Sequence, residues 1–169
     1  MNQGRGLGSV KIDEVRLEVG DGRQIIIGQA HFIKTVEDLY ETLVTSMPGV
    51  KFGVAFCEAS GKALVRFDGS EADLALLAKE FATKLGAGHS FVVVLDGSYP
   101  INVLNRVKGV EEVASVLCAT SNPVTVLVAE SGGGRGILGV VDGVAPKGTE
   151  SEEDREERRA FLRKIGYKR

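Results

Sequence analysis

The order of apolar and polar residues along the chain predicts eight strands. Residues 10–19, VKIDEVRLEV, alternate apolar and polar positions, as expected for a strand with one face towards solvent. Shorter runs rich in Val, Ile, Leu and Phe between turn-forming residues are typical of more buried strands. These predicted strands are residues 24–28, 51–59, 63–68, 90–96, 113–119, 124–130 and 136–142.

Four segments have the pattern of helices. Thr35 and Asp38 resemble a capping box, and apolar residues spaced three or four apart follow up to Pro48-Gly49. Ser70 and Asp73 predict a second helix start, and Gly86 suits the left-handed residue that ends that helix. Residues 98–109 predict a short helix with Pro100 in its first turn. The last helix, near 151–169, has acids first and bases last, and its Phe161, Leu162 and Ile165 are expected to dock it.

The order of these elements is ββα, ββα, βα, βββα, which indicates the α+β class. The glycine-containing turns GDGR (20–23) and SGK (60–62) predict hairpins between their flanking strands. Because hairpins outnumber helical crossovers, we expect one mixed sheet of about eight strands with about four packed helices. We expect residues 10–169 to form a single domain and residues 1–9 to be a flexible N-terminal tail.

Composition narrows the function classes. The net charge of −2 over 169 residues gives no reason to expect nucleic acid as a partner, since proteins that bind it usually show a basic face. No apolar run approaches the roughly 20 residues needed to span a bilayer, and the first residues lack the apolar stretch of a secretory signal. We therefore expect a cytoplasmic protein without a membrane partner. Cys57 and Cys118 lie in apolar runs, which predicts buried free thiols.

Several common motifs are absent or out of context. Residues 134–139, GRGILG, match the spacing of a dinucleotide-binding loop, but the following VVD continues as a strand, not a helix. No phosphate-binding GxxxxGK[ST] loop occurs. The two histidines and two cysteines lack the close spacing of a zinc site, so no metal is predicted.

Both histidines of the chain lie where a glycine-containing turn meets an apolar segment. His31 is in GQAHF, after QIII, and His89 is in GAGHSF, before FVVVLD. Each imidazole could cap a strand with one nitrogen bonded to a carbonyl, or it could face a ligand and move protons or phosphate. Nearby glycines, such as Gly88, would let backbone N–H groups approach a polar ligand closely.

Four other polar residues are candidates for ligand binding. Asn102 and Asn105 lie three apart on the short predicted helix and share a face. Asn122 precedes Pro123 and could instead only shape a turn. Asp142 precedes Gly143, so it is either a turn former or a partner for a ribose diol.

Taken together, GQAHFIKTVEDLYE, KFGVAFCEASG, LGAGHSFVVVLDGSYPINVLN, ATSNPVTVLVAE, GILGVVDG and RRAFLRKIGYK resemble the archaeal and bacterial adenosine-specific kinases, from about residue 10 to the C-terminus. The resemblance implies an α+β protein that assembles as a homo-oligomer, a trimer, and binds adenosine or AMP in preference to ADP or ATP. It also implies a phosphorylated histidine, which can be either His31 or His89. Ala30 replaces the serine usual in that motif and removes one hydroxyl.

With that resemblance, the expected function is phosphoryl transfer to adenosine, with adenosine or AMP as ligand and no certain cofactor. Lys34 is the candidate for neutralising the phosphate, and Asp38 for fixing the histidine tautomer. The alternatives are a binding or sensing module without turnover and, less favoured, a hydrolase or isomerase that uses the histidines as acid and base.

Overall fold

The computed structural model describes residues 10–20 and 22–169, so the predicted tail at 1–9 lies outside the described residues. The eight strands are β1 Lys11–Leu17, β2 Arg23–Ala30, β3 Lys51–Cys57, β4 Val65–Gly69, β5 Ser90–Asp96, β6 Val113–Thr120, β7 Val124–Ser131 and β8 Gly134–Asp142. The helices are α1 Thr35–Ser46, α2 Ala72–Leu85, α3 Leu104–Lys108 and α4 Glu152–Lys164, with a 3-10 turn at Pro100–Asn102. The predicted class, element order and numbers of strands and helices are confirmed.

The strands form two sheets in which all recorded pairs are antiparallel. The five-stranded sheet has the order β4-β3-β5-β2-β6, and the three-stranded sheet has the order β1-β7-β8. The pairing therefore differs from the mixed sheet that was predicted. Helix α1 connects β2 to β3, and α2 connects β4 to β5. In each case the two connected strands run in the same direction and one antiparallel strand lies between them.

The predicted hairpin at residues 20–23 was wrong, whereas the one at residues 60–62 is confirmed. Gly20 and Gly22 do have positive φ, but β1 pairs with β7 and β2 pairs with β5 and β6. The turn passes the chain from one sheet to the other because the apolar face of β1 packs in the core between the sheets. By contrast, β3 and β4 pair directly across the turn at residues 60–62.

The five-stranded sheet is covered on both faces. Ile25, Ala55 and Val92 face a core shared with α2 and the three-stranded sheet. Ile26, Val54 and Val93 face a second core shared with α1 and α3. Burial on both faces explains why these strands are continuous apolar runs instead of alternating ones.

The predicted capping boxes of α1 and α2 were wrong. Thr35 is already the first residue of α1, and its hydroxyl donates to the carbonyl oxygens of Phe32 (2.6 Å) and His31 (3.2 Å). Ser70 instead accepts the Phe52 N–H at 2.9 Å, two residues before α2 begins. Both hydroxyls thus bond to neighbouring strands or loops. The end of α2 is as predicted, since Gly86 has φ 55° and donates its N–H to the Ala82 carbonyl.

Helix α4 begins with a capping box between Ser151 and Asp154 and buries none of its residues. The side chains expected to dock it remain accessible: Phe161 is 57% and Ile165 40% exposed. They form one wall of an open groove instead of entering the core.

The two cysteines are buried and free, as predicted. Burial raises the pKa of the Cys57 thiol, and burial with the nearby Asp142 carboxylate raises the pKa of Cys118 to about 11. Raised pKa values favour the protonated thiol, which is the less nucleophilic form.

Candidate functional site

One edge of the five-stranded sheet brings together three distant parts of the chain. Strands β2 and β3 end there, and β5, which lies between them and runs in the opposite direction, begins there. The Ala30 N–H donates to the His89 carbonyl, and the His89 N–H donates to the Cys57 carbonyl, both at 2.8 Å. The sheet therefore places His31 and His89 side by side although 58 positions separate them.

Both histidines line one pocket of about 390 Å³, which we call the two-histidine pocket. Its volume lies within the range of small-molecule sites. The pocket has apolar side chains on several sides and a single carboxylate. Its lining residues are His31, Phe32, Ile33, Phe56, Glu58, Ala59, Ser60 and His89.

The two imidazoles have different surroundings. His31 is exposed, and its backbone N–H donates to the Glu112 carbonyl at 2.9 Å. His89 is half-buried and stacks on Phe56, with ring centroids 5.9 Å apart and an interplanar angle of 13°. Stacking fixes the plane of the His89 ring, whereas the ring of His31 is accessible from solvent.

Two residues of the pocket have strained backbones. Phe32 has φ 77° and His89 has φ 62°, and positive φ is unfavourable for side chains of this size. Such strain is concentrated at functional sites, where the surrounding structure holds it. Here the Thr35 hydroxyl donates to the Phe32 carbonyl. The His89 N–H donates to the Cys57 carbonyl of β3, and the His89 carbonyl accepts the Ala30 N–H of β2.

Glu58 is the carboxylate of the pocket, and sequence reasoning missed it. One of its oxygens accepts the Leu64 N–H at 2.8 Å, and the other accepts from the Arg66 guanidinium at 2.9 Å. These hydrogen bonds, that of Leu64 first, lower the pKa of Glu58. The only feature of the sequence that points to Glu58 is its position directly after β3, at the hairpin turn.

Lys34 and Asp38 lie outside the lining of the two-histidine pocket. The Lys34 ammonium makes ion pairs with Asp38 and with Glu112, and its pKa is raised by its hydrogen bonds to these carboxylates, Asp38 first. The helix start places Asp38 one turn after Lys34, so the carboxylate binds the lysine in preference to an imidazole. This arrangement differs from the roles expected for both residues.

Glu112 is a second residue that the sequence did not indicate. It is 3% exposed, yet it contacts the site twice, through its carbonyl to His31 and through its carboxylate to Lys34. Its other carboxylate oxygen is buried and has no recorded partner. Glu112 thus holds both ends of the segment that carries Phe32 and Ile33.

Gly88 lies beside the pocket and allows a close approach of two loops. A Cβ atom there would come within 3.0 Å of the Ala59 Cβ. Gly88 itself lines a separate, smaller cavity of about 130 Å³. Its N–H donates to the Arg135 carbonyl at 3.3 Å, so this N–H already has a protein partner.

The predicted ligand-binding residues Asn102, Asn105, Asn122 and Asp142 do not line the two-histidine pocket. Asn102 accepts the Tyr99 N–H at 3.1 Å. Asn122 and Thr120 both donate to the Asp142 carboxylate at 2.9 Å, which matches the turn-forming alternative for these residues. Asn105 lines the open groove beside α4.

Within residues 10–20 and 22–169, no group of three or more His, Cys, Asp or Glu side chains is arranged to hold a metal ion. None of the helices in that part of the chain has the length and apolar character needed to cross a membrane.

Comparisons with known proteins agree with this architecture. The chain is similar to the crystal structure of the PH1918 protein from Pyrococcus horikoshii OT3, with 45% sequence identity and a TM-score of 0.92. That match covers 95% of this chain and 99% of the other. A search of curated proteins found no match. A model of the family described as "Adenosine specific kinase" matches residues 15–168, so the chain belongs to the adenosine specific kinase family.

Proposed function

We propose that this protein binds adenosine or AMP in the two-histidine pocket and transfers a phosphoryl group to adenosine through a phosphohistidine. The observation that carries the proposal is that the only two histidines of the chain line one pocket. Kinase activity is what the family description names. The apolar walls of Phe32, Ile33 and Phe56 suit a nucleoside base.

His31 is the proposed phosphoryl acceptor, because its imidazole is exposed while that of His89 is stacked on Phe56. A nitrogen of neutral His31 attacks the terminal phosphorus of a phosphoanhydride donor. The N–P bond forms as the donor's P–O bond breaks, the electron pair leaves on the donor oxygen, and the ring N–H proton goes to solvent.

The second step returns the imidazole to its neutral form. The 5′-hydroxyl of adenosine attacks the phosphorus, an O–P bond forms, and the N–P bond breaks with its electron pair on the His31 ring, which takes up a proton from water and is neutral again. The hydroxyl proton passes to His89, which releases it to water. The products are AMP and unmodified enzyme.

The experiment is incubation with phosphoanhydride donors labelled at the terminal phosphate, with and without adenosine. We expect label in AMP and in acid-labile protein phosphate. His31→Ala should lose the protein label, His89→Ala should retain it but transfer it slowly, and the double variant, which has no histidine, is the control. Label in neither product removes the kinase proposal, and label retained in His31→Ala moves the acceptor to His89.

A second candidate is a binding or sensing module that holds adenosine without turnover. It is favoured by one observation: among the described residues, neither Lys nor Arg lines the two-histidine pocket, and Lys34 is held by two carboxylates. Calorimetric titration with adenosine, without a donor, decides between the candidates when combined with the label experiment. Binding without transfer supports the module.

The resemblance to the family also leads us to propose a cytoplasmic homo-oligomer, with a trimer as the expected state. Exposed apolar residues on both edge strands of the three-stranded sheet support it: Ile12 is 60%, Leu138 60% and Val141 52% exposed. Light scattering after gel filtration measures the mass. Ile12→Lys should shift an oligomer towards the monomer, and a monomeric wild type removes the proposal.

A further inference from the structure

A second cavity lies at the other end of the strands of the five-stranded sheet, where β2 begins. It is an open groove of about 620 Å³ beside the end of α4, and we call it the α4 groove. The Gln24 end of β2 reaches the α4 groove and the His31 end reaches the two-histidine pocket, so roughly 23 Å of strand separates them. One nucleoside cannot contact both cavities of a single chain.

The walls of the α4 groove are mainly apolar and aromatic. Tyr99 and Pro100 come from the segment after β5, Phe161 lies near the end of α4, and Tyr167 lies just after α4. The described residues that line this groove include no Asp, Glu, Lys or Arg. An occupant that carries a charge, such as a phosphate, would find no counter-charge there, so the groove suits an uncharged planar molecule.

Gln24 supplies a second, independent observation. It is 7% exposed and lines the groove, but no hydrogen bond to its side chain is recorded among the described residues. Its amide N and O are therefore free to pair with an occupant of the groove that presents an adjacent donor and acceptor. Asn105, at the same groove, offers another carboxamide.

We propose that the α4 groove is a second binding site for an uncharged nucleobase, free or within a nucleoside. The carboxamide of Gln24 pairs with the donor–acceptor edge of the base, as Gln and Asn do with adenine. Tyr99, Phe161 and Tyr167 supply aromatic faces on which the base stacks. This site is independent of the phosphotransfer proposed for the two-histidine pocket.

The tyrosines provide a specific signal for this groove. The chain has three tyrosines and no tryptophan; Tyr99 and Tyr167 line the α4 groove, and Tyr40 packs on Phe52 with ring centroids 5.1 Å apart. No tyrosine lines the two-histidine pocket. Tyrosine fluorescence therefore reports occupancy of the groove and not of the histidine site.

The experiment is titration of the full chain with adenine, adenosine and ribose while tyrosine fluorescence is recorded. We expect saturable quenching by adenine and adenosine and none by ribose. Gln24→Leu should weaken the binding at least about fivefold by removing one buried hydrogen bond. Gln29→Leu, at an exposed position of the same strand that does not line the groove, is the matched control.

Two further variants make the result decisive. Phe161→Ala removes an exposed ring from the wall and should also weaken quenching, which keeps the test valid if Gln24→Leu does not fold. His31→Ala should leave the quenching curve unchanged, so the failure of either site is distinguishable from failure of the other. Absence of saturable quenching in the wild type, or identical curves for wild type, Gln24→Leu and Phe161→Ala, overturns the proposal.

Discussion

At the scale of single residues, the candidate site depends on side chains that hold other groups in place. Glu58 pairs with Arg66 and accepts the Leu64 N–H. Glu112 pairs with Lys34 and accepts the His31 N–H through its carbonyl. Neither glutamate belongs to a recognisable sequence motif. The histidines, by contrast, were predictable, because only two are present and each lies close to a glycine beside an apolar run.

Glu112→Gln tests the support of the segment from His31 to Lys34. The variant keeps the shape and the carbonyl that binds the His31 N–H but loses the charge that binds Lys34. We expect a loss of about 1 kcal/mol in the free energy of unfolding and weaker adenosine binding. Denaturant titration and calorimetry measure the two effects. The exposed neighbour variant Glu111→Gln is the control, and equal behaviour of the two variants contradicts the prediction.

The lowered pKa of Glu58 predicts that the stability of the fold depends on pH. Because hydrogen bonds from Leu64 and Arg66 lower its pKa in the folded state, its contribution is present above the unfolded pKa, about 4.3, and is lost as the pH falls through the folded pKa. We expect Glu58→Gln to lower Tm at pH 7, with a difference from the wild type that shrinks below about pH 4. A difference that grows on acidification would contradict this sign.

At the scale of secondary-structure elements, the core between α2 and the five-stranded sheet depends on close packing of α2 on β3. Gly53 in β3 lies under the start of α2, and a Cβ atom at this position would overlap the Leu74 carbonyl and the Ala75 N. This contact involves backbone atoms on both sides, so it cannot be relieved by a side-chain rotation.

Gly53→Ala should therefore lower the free energy of unfolding by about 2 kcal/mol or more, because the helix must move away from the strand. Thermal or denaturant unfolding measures the loss. Gly136→Ala in β8 is the matched control, since a Cβ atom there meets nothing within 4 Å. A loss for Gly53→Ala no larger than that for the control would show that α2 adjusts freely.

At the scale of the whole molecule, stability is unevenly distributed. The five-stranded sheet has a core on each face, whereas α4 buries none of its residues and is capped mainly by its own Ser151 and Asp154. Elements with few buried contacts open at low free-energy cost.

Hydrogen exchange should follow this distribution. We expect the amides of β2, β3 and β5 to be protected close to the level of global unfolding and those of Glu152–Lys164 to exchange much faster. Mass spectrometry of peptides after timed exchange measures both. Protection of α4 equal to that of β5 would indicate that another molecule, such as a second copy of the chain, covers the helix.

Local sequence patterns alone determined much of the architecture. Apolar runs, glycines and the reversal of charge along the last helix predicted every element in order, since these features act between residues close in the chain. They also singled out His31 and His89.

Only the tertiary structure decided which strands pair and which polar groups meet. Strand β1 joined β7 instead of β2, and Lys34 bound Glu112, 78 positions away, instead of facing the pocket. Partner choice between distant segments depends on how whole apolar faces are buried together, which no local pattern encodes. For the same reason, the convergence of two histidines on one pocket follows from the antiparallel arrangement of β2, β3 and β5 and not from their motifs.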